Sequence, residues 1–346
     1  MTARNPDPTG NAREEIERIL SSKDRSLRST LYKSILLNSV RCQGLDILDL
    51  KMIDRVVEEF QHAACVFQPY RSVRKVSIFG SARTKDDSPY FKLAADLGRL
   101  MSRNGFMVIT GAADGIMRAG IEGAGPENSF GINILLPFEQ GAAKVIQDDP
   151  KLVTFKYFFT RKVFFVMEAD AVALFPGGFG THDEGFEVMT LLQTGKTPPM
   201  PVILMDLPGQ DYWEVWDQFV RRQLLARGYI NPEDLSFYKI VHSAEEGLAR
   251  IRSYYSTYHS MRQVRDKLVI RLEKELDDGQ VGLLNDRFRD LLKSGKIQKT
   301  PALPAEKDEP KLLAKPRIAF SYNKKSAGRL NQLILTINDL GSRGNR

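Results

Sequence analysis

The chain has 346 residues, of which 42% are hydrophobic, with 26 glycines and 17 prolines. This composition is typical of a folded globular protein and excludes a collagen-like or low-complexity chain. The sequence has no run of about 18 apolar residues, which predicts no membrane span, and the first residues lack the apolar core of a secretory signal. The two cysteines, Cys42 and Cys65, have no metal-ligand spacing, so we expect a protein of the reducing cytoplasm.

The net charge of +7 is unevenly distributed. Residues 296–346 contain 11 Lys or Arg and 4 Asp or Glu, so the rest of the chain is nearly neutral. Nucleic acid or an acidic partner is one interpretation of such a tail. However, no zinc finger, aromatic RNA-binding signature or basic helical stripe accompanies it. We therefore favour a solvated segment, and we expect neither nucleic acid nor a membrane as a partner.

The first 72 residues predict a helical N-terminal extension, because Leu48, Met52 and Val56 recur at helical spacing. From Val73 onward, short apolar runs alternate with longer helical segments. The predicted strands are 76–79, 106–109, 131–135, 171–175 and 202–205, and the predicted helices lie near 89–103, 115–124, 160–168, 182–194 and 212–226. This alternation predicts an α/β fold with a doubly wound parallel sheet over residues 73–256.

The remaining residues, 257–346, predict a small basic α/β extension. Its expected strands are 268–272 and 317–321, its expected helices are 281–293 and 327–340, and residues 299–315 read as a linker. The sequence therefore predicts three domains, with boundaries after residues 72 and 256.

Three glycine-bearing loops follow strands of the predicted sheet. They contain Gly80 and Ser81, then Gly111 and Gly115, and finally the segment 176–181. Doubly wound sheets bind ligands at the carboxyl ends of their strands. We therefore expect these loops to converge on one binding site.

The last of these loops, Pro176-Gly-Gly-Phe-Gly-Thr-His-Asp-Glu184, lies between a strand and a helix. Bare N–H groups and the helix dipole make such a corner suitable for phosphate, and Gly177, Gly178 and Gly180 would allow close approach of a ligand. Thr181 and Glu184 also fit a capping box, which would give both residues a purely structural role. The glycines favour a ligand site.

Two further charged groups extend this hypothesis. Glu187 shares a helical face with Glu184, so the two carboxylates are either a catalytic or ribose-binding pair or, for Glu187, an ordinary solvated residue. Arg161 and Lys162 open the preceding helix, where basic side chains oppose the helix dipole. A bound anion would offset that cost, although surface charge is the alternative.

These residues resemble the LOG ("Lonely Guy") family, whose members were once mislabelled lysine decarboxylases. The segment 176–184 matches the Pro-Gly-Gly-x-Gly-Thr-x-x-Glu signature of this family. The loops that begin at Ser77 and Gly111, and the Arg161-Lys162 pair, occur in the family order. The resemblance covers roughly residues 73–256.

The resemblance implies a Rossmann-like fold and a phosphoribohydrolase. Such an enzyme cleaves a nucleoside 5′-monophosphate, AMP-like or a cytokinin riboside monophosphate, into the free base and ribose 5-phosphate. The catalytic pair would be Arg161 and Glu184. The phosphate and ribose would contact Gly80, Ser81, Gly111, Gly115, Gly177, Gly178, Gly180, Thr181 and Glu187. The resemblance also implies a homo-oligomer, and the reaction needs neither a metal nor a redox cofactor.

The second loop departs from the family pattern. Ala112 and Ala113 replace glycines, Asp114 adds a negative charge near an expected anion, and Arg118 replaces an acid. A different base preference or loss of activity would follow from such changes. A nucleotide-sensing module without turnover is therefore the alternative function, whereas a pyridoxal-phosphate decarboxylase is disfavoured because no lysine has independent support as a Schiff base.

Overall fold

The structure is a computed structural model that describes residues 9–136 and 142–343. The chain divides into two compact units, Met1–Glu59 and Phe60–Arg346. The first unit contains the helices α1 (Thr9–Ser21) and α2 (Leu27–Val40) and the first part of α3 (Ile47–Phe67). The predicted helical character of the N-terminal extension is confirmed. In the described residues, no helix is long and apolar enough to cross a membrane.

The second unit contains a seven-stranded parallel sheet with the strand order β4-β3-β2-β1-β5-β6-β7. The strands are β1 (Lys75–Phe79), β2 (Met107–Thr110), β3 (Ser129–Ile134), β4 (Leu152–Phe155), β5 (Ala171–Leu174), β6 (Val202–Met205) and β7 (Tyr238–Val241). The central strand β1 is in register with both neighbours, since Ser77 pairs with Ile109 on one side and Val172 on the other. The chain changes sides of the sheet at β1, which places a crevice at the carboxyl ends of the central strands.

Helices cover both faces of this sheet, as expected for buried parallel strands. They are α4 (Pro89–Arg103), α5 (Ile116–Ala124), α6 (Phe158–Met167), α7 (Phe179–Gln193), α8 (Tyr212–Phe219) and α9 (Ala244–Tyr254). One core layer joins the sheet to α6, α7 and α8 through Phe164, Val188 and Trp213. The other joins it to α4 and α5 through Leu97 and Ile116. The predicted doubly wound α/β fold is confirmed.

Strands β4 and β7 were not expected from the sequence. Both lie at the edges of the sheet, and each has only four residues with a mixed burial pattern. Their identity therefore depends on a neighbouring strand that supplies hydrogen bonds, rather than on a local apolar run.

The C-terminal part of the second unit is an antiparallel sheet with the order β10-β11-β9-β8. Its elements are β8 (Tyr258–Val264), β9 (Lys267–Leu272), α10 (Asp278–Arg287), β10 (Leu292–Lys299), β11 (Arg317–Tyr322) and α11 (Ala327–Arg343). The helix predicted over 281–293 was wrong at its C-terminal end, because the chain from Leu292 forms an edge strand. In β10 only Ile297 is buried, so the strand has no periodic apolar signal.

Lys299 is the last residue of β10, and the rest of the segment predicted as a linker contains no strand or α-helix. Ion pairs hold it against the antiparallel sheet. Glu306 accepts contacts from Arg271 at 2.9 Å and from Arg317 at 2.8 Å, and these three side chains are almost completely buried. Asp308 pairs with Arg262 at 2.6 Å. Of these arginines only Arg317 belongs to the basic tail, so these pairs fix the segment in place without neutralising most of the tail's positive charge.

Candidate active site

The loops at the carboxyl ends of the central strands surround a cleft of about 780 Å³. Most of the residues predicted for the site lie in its wall. Those that do are Gly80, Ser81, Gly111, Arg161, Gly177, Gly178, Gly180, Thr181 and Glu184. The wall does not include Gly115 or Glu187.

The glycine turn leads directly into α7. This helix begins at Phe179, and its N-cap residue, Gly178, has no side chain to cap it. Thr181 therefore lies inside the first turn, three residues beyond the N-cap, so the capping box considered for Thr181 and Glu184 does not form. The first N–H groups of a helix have no acceptor within the helix, and here they border the cleft.

The glycines of this turn have different structural roles. A Cβ atom on Gly177 would lie 2.2 Å from Thr181 Oγ1, so the fold itself requires glycine there. In contrast, a Cβ atom on Gly178 or Gly180 would have no heavy atom within 4 Å. Packing does not explain why these two residues are glycines. Both line the cleft, where the absence of a side chain leaves room for a ligand to approach the backbone.

Backbone hydrogen bonds fix the first two loops against the glycine turn. The Ser81 N–H donates to the Pro176 carbonyl at 3.2 Å, and the Ser81 carbonyl accepts from the Ile116 N–H at 3.1 Å. Gly115 has a φ of +65°, and a Cβ atom there would lie 2.3 Å from the Ser81 carbonyl oxygen. Gly115 does not line the cleft, but it lets the second loop pack closely against the first, because only glycine combines this φ with this close approach.

Arg161 enters the cleft from the first turn of α6. Its Nε donates to the Ile132 carbonyl at 2.9 Å, and its guanidinium carbon lies 5.1 Å from the centroid of the Phe165 ring. A Cβ atom on Gly111 would lie 2.5 Å from Arg161 Nη2. Glycine in the second loop therefore makes room for the guanidinium, a role that the sequence alone did not reveal.

Glu184 lies one turn into α7, and the residue is 8% exposed. Within the part of the chain that the structure describes, its Oε2 atom is buried without a hydrogen-bond partner. Burial raises the pKa of this carboxyl to about 7, although Lys162 and Arg161 oppose the rise. A carboxyl with this pKa is partly ionised near neutral pH, as a general base requires.

Lys162 lies behind Glu184 and contacts three carboxylates of α7. Its Nζ atom is 2.7 Å from Glu187 Oε2, 2.9 Å from Asp183 Oδ2 and 3.8 Å from Glu184 Oε2. The structure thus joins Glu184 and Glu187 through a shared cation, and it does not place Glu187 in the wall. The sequence does contain a signal for this arrangement. Asp183, Glu184 and Glu187 lie within about one turn of the helix, and three neighbouring carboxylates need a cation close to them.

Several residues of the site had no recognisable signal in the sequence. Arg83 and Asn133 line the cleft; Arg83 lies in the loop after β1, and Asn133 lies near the end of β3. Tyr212, from α8, donates its hydroxyl hydrogen to the Gly177 carbonyl at 2.6 Å and lies 2.7 Å from His182 Nε2. It supports the glycine turn from a distant part of the chain.

The unusual second loop is accommodated by the fold. Ala112 adopts a φ of +55°, is fully buried and donates its N–H to Thr110 Oγ1 at 3.1 Å. The Asp114 carboxylate pairs with Arg118 at 3.3 Å, and neither residue lines the cleft. The two charge changes therefore compensate each other, and the negative charge expected beside the anion site lies outside the wall.

Comparison with known proteins agrees with the signature. Residues 110–251 match the sequence model of a protein family described as "Possible lysine decarboxylase". The chain is 26% identical over 211 residues to the cytokinin riboside 5′-monophosphate phosphoribohydrolase LOG3 of Arabidopsis thaliana, covering 58% of this chain and 91% of that protein. Both matches support the resemblance to the LOG family that the signature indicates.

Among solved structures, the chain is similar to the molybdenum cofactor binding protein of Rippkaea orientalis, with 20% identity and a TM-score of 0.39. The match covers 52% of this chain and 96% of that one. It is also similar to the molybdenum cofactor carrier protein of Chlamydomonas reinhardtii, with 14% identity, a TM-score of 0.37 and the same two coverages.

Proposed function

We propose that this protein hydrolyses the N-glycosidic bond of a nucleoside 5′-monophosphate. The substrate is AMP-like or a cytokinin riboside monophosphate, and the products are the free base and ribose 5-phosphate. The observation that carries this proposal is the buried Glu184 carboxylate. Among the described residues its Oε2 atom has no hydrogen-bond partner, and it lies in the same cleft as Arg161 and the glycine turn that begins α7.

The phosphate would bind at the start of α7. Gly178 and Gly180 have no neighbouring atoms where a side chain would lie, so the phosphate can reach the backbone N–H groups there. The helix dipole favours the negative charge of the phosphate. Arg161 extends from α6 into the same cleft and supplies a permanent positive charge. These groups would hold the ribose with its anomeric carbon near Glu184.

The reaction would then follow the chemistry of glycoside cleavage. As the C1′–N bond breaks, its electron pair leaves with the base and positive charge develops on the sugar. The Glu184 carboxylate stabilises this charge and accepts a proton from the attacking water, whose oxygen forms the new C1′–O bond. The departing base takes its proton from solvent, since the high pKa of an arginine makes Arg161 a poor proton donor.

A panel of nucleoside 5′-monophosphates tests the proposal. We expect base and ribose 5-phosphate to be released from at least one of them, as measured by chromatography. Tight binding of nucleotides without any release would instead support a sensing module. The absence of both binding and release across the panel would contradict both functions.

Gly180→Ala separates ligand binding from folding. The added methyl group meets no protein atom, and alanine favours the helix by up to about 1 kcal/mol, so the free energy of unfolding should be unchanged or slightly higher. The methyl group occupies the space where a phosphate would approach, so we expect the KM for the nucleotide to rise about tenfold. Steady-state kinetics and urea unfolding measure the two effects.

Gly282→Ala is the matched control, because Gly282 lies on α10 and its Cβ position is equally open. It should gain similar helix stability and leave the KM unchanged. An unchanged KM in Gly180→Ala would contradict the proposal that the phosphate binds at the start of α7.

We also propose that the protein forms a homo-oligomer through α6. Phe159, Val163 and Met167 are spaced by four residues, so they share one face of this helix, and their exposures are 52%, 40% and 55%. Exposed apolar faces of this kind mark interaction sites. A second copy of the chain is the occupant that the family resemblance implies.

Phe159→Glu should therefore lower the molar mass in solution. A charge buried in an apolar interface is costly, so we expect light scattering to change from a dimer or larger assembly to a monomer. Leu283→Glu, at a residue of α10 that is 57% exposed, is the control and should retain the assembly. A monomeric wild-type protein at micromolar concentration would refute this assignment.

A further inference from the structure

A second cleft lies between the end of α7 and the antiparallel sheet of the same unit. Its volume is about 350 Å³, which is within the range of small-molecule sites. We call it the basic cleft. It is lined by Gln193, Thr194, Gly195, Lys196, Thr197, Pro198, Met261, Arg262, Gln263, Leu268, Tyr322, Lys324, Lys325 and Ala327.

The wall of the basic cleft has four cations and no carboxylate. Arg262 is paired with Asp308 and Glu309. In residues 9–136 and 142–343, no Asp or Glu forms an ion pair with Lys196, Lys324 or Lys325. Three uncompensated positive charges therefore face one small cavity.

Some basic side chains of the C-terminal part outside the cleft are paired. Lys315 lies 2.6 Å from Glu273, and Arg329 lies 2.9 Å from Asp290. Among the described residues, lysines without an ion pair also occur singly elsewhere in this part of the chain, but at the basic cleft three of them line one cavity. Such clustering costs repulsion, which a bound anion would remove.

The start of α11 adds to this positive potential. Ala327, the first residue of this 17-residue helix, lines the cleft, and the Arg329 N–H donates to Ser326 Oγ at 3.0 Å, which places a capping hydroxyl at the same end. The dipole of a long helix favours an anion there, and the buried Asp234 carboxylate beside Gly328 already meets part of that preference. Lys324 also adopts a φ of +59°, a strained conformation for a residue other than glycine.

We propose that the basic cleft binds a small anion that carries two or more phosphate groups. Three lysine ammonium groups together with a helix N-terminus match a chain of phosphates better than a single carboxylate. The apolar side chains of Met261 and Leu268 in the wall leave room for an organic group attached to that chain. This site is separate from the cleft that contains Glu184.

The position of the basic cleft connects it with the candidate active site. Gln193 and Thr194, at the C-terminal end of α7, line the basic cleft, whereas the first turns of the same helix carry Thr181 and Glu184. A ligand in the basic cleft would therefore contact the helix that holds the proposed catalytic carboxylate.

Titration calorimetry with inorganic tripolyphosphate at about 0.15 M salt tests the proposal. We expect the full-length protein to bind it, and the variant Lys196→Gln/Lys324→Gln/Lys325→Gln to lose about 100-fold in affinity at this site, because charged hydrogen bonds each contribute roughly a factor of five to ten. All three side chains are exposed, so the fold should be retained, which circular dichroism checks.

The matched control is Lys293→Gln/Lys296→Gln/Lys307→Gln, which removes the same charge from exposed lysines outside the cleft. It should bind tripolyphosphate like the wild type. Equal losses in the two triple variants, wild-type affinity in the cleft variant, or no binding to the wild type would each overturn the proposal. None of these outcomes depends on base release, so the proposed hydrolase activity is tested separately.

Discussion

Glu184→Gln is expected to abolish base release and, at alkaline pH, to make the protein more stable. Glutamine keeps the shape of the side chain but neither accepts a proton from water nor stabilises a positively charged sugar. We expect kcat to fall by at least about 1,000-fold, a loss that lies within the range of either a lost general base or a lost electrostatic contact alone. Binding of the nucleotide should change much less, because Arg161 and the start of α7 remain.

The gain in stability follows from the raised pKa of Glu184. Its pKa is about 7 in the folded protein and 4.5 in the unfolded chain, so the folded state binds the proton more tightly. The cost of ionising this buried carboxyl is absent below about pH 4.5, grows as the pH rises towards 7 and is complete above 7. It amounts to at most about 3 kcal/mol. The neutral amide avoids this cost.

Urea unfolding at pH 5 and pH 8 measures this difference. The variant should exceed the wild type clearly at pH 8 and only slightly at pH 5. Glu187→Gln is the control, because that carboxylate is ion-paired with Lys162 and its loss should give no gain. An equal effect of Glu184→Gln at both pH values would show that burial does not raise the pKa of this carboxyl.

The sequence predicted the central part of this fold well, because that part depends on local patterns. Apolar runs such as 202–205 become fully buried strands, and the segment 176–184 forms the turn after β5 and the first residues of α7, as its glycines indicate. The edge strand β10 was not predictable in the same way. It exists because β11 pairs with it, and its own residues are mostly exposed.

The candidate site shows the same division. Its glycine turn has a recognisable signature, but the support for that turn comes from Tyr212, and the space for Arg161 comes from Gly111. These contacts join residues about 35 and 50 positions apart in the chain, as seen from their numbers. Only the folded sheet brings them together, so no local pattern predicts them. The chemical role of Lys162 depends in the same way on packing between α6 and α7.

Lys162→Met is expected to shift the pH dependence of the reaction. In the wild type, base release should rise with pH up to about 7, the pKa of Glu184, because the ionised carboxylate is the active form. Lys162 lowers that pKa, and the neighbouring Glu187 and Asp183 raise it. Removing the cation therefore leaves the carboxylates to repel one another. The acidic limb of the pH–rate profile, where base release rises with pH, should move at least about one pH unit higher.

Lys162 is a positioning residue in this scheme, because it contacts Glu184 but does not line the cleft. The variant should therefore recover much of its activity at high pH, with little change in KM, which a loss of substrate contact would not allow. Lys162→Arg keeps the charge and should restore the wild-type profile. Glu187→Gln removes a like charge and should move the acidic limb in the opposite direction. Base release measured from pH 5 to 10 compares the variants, and an unshifted limb in Lys162→Met would refute this role because the cation would then have no effect on Glu184.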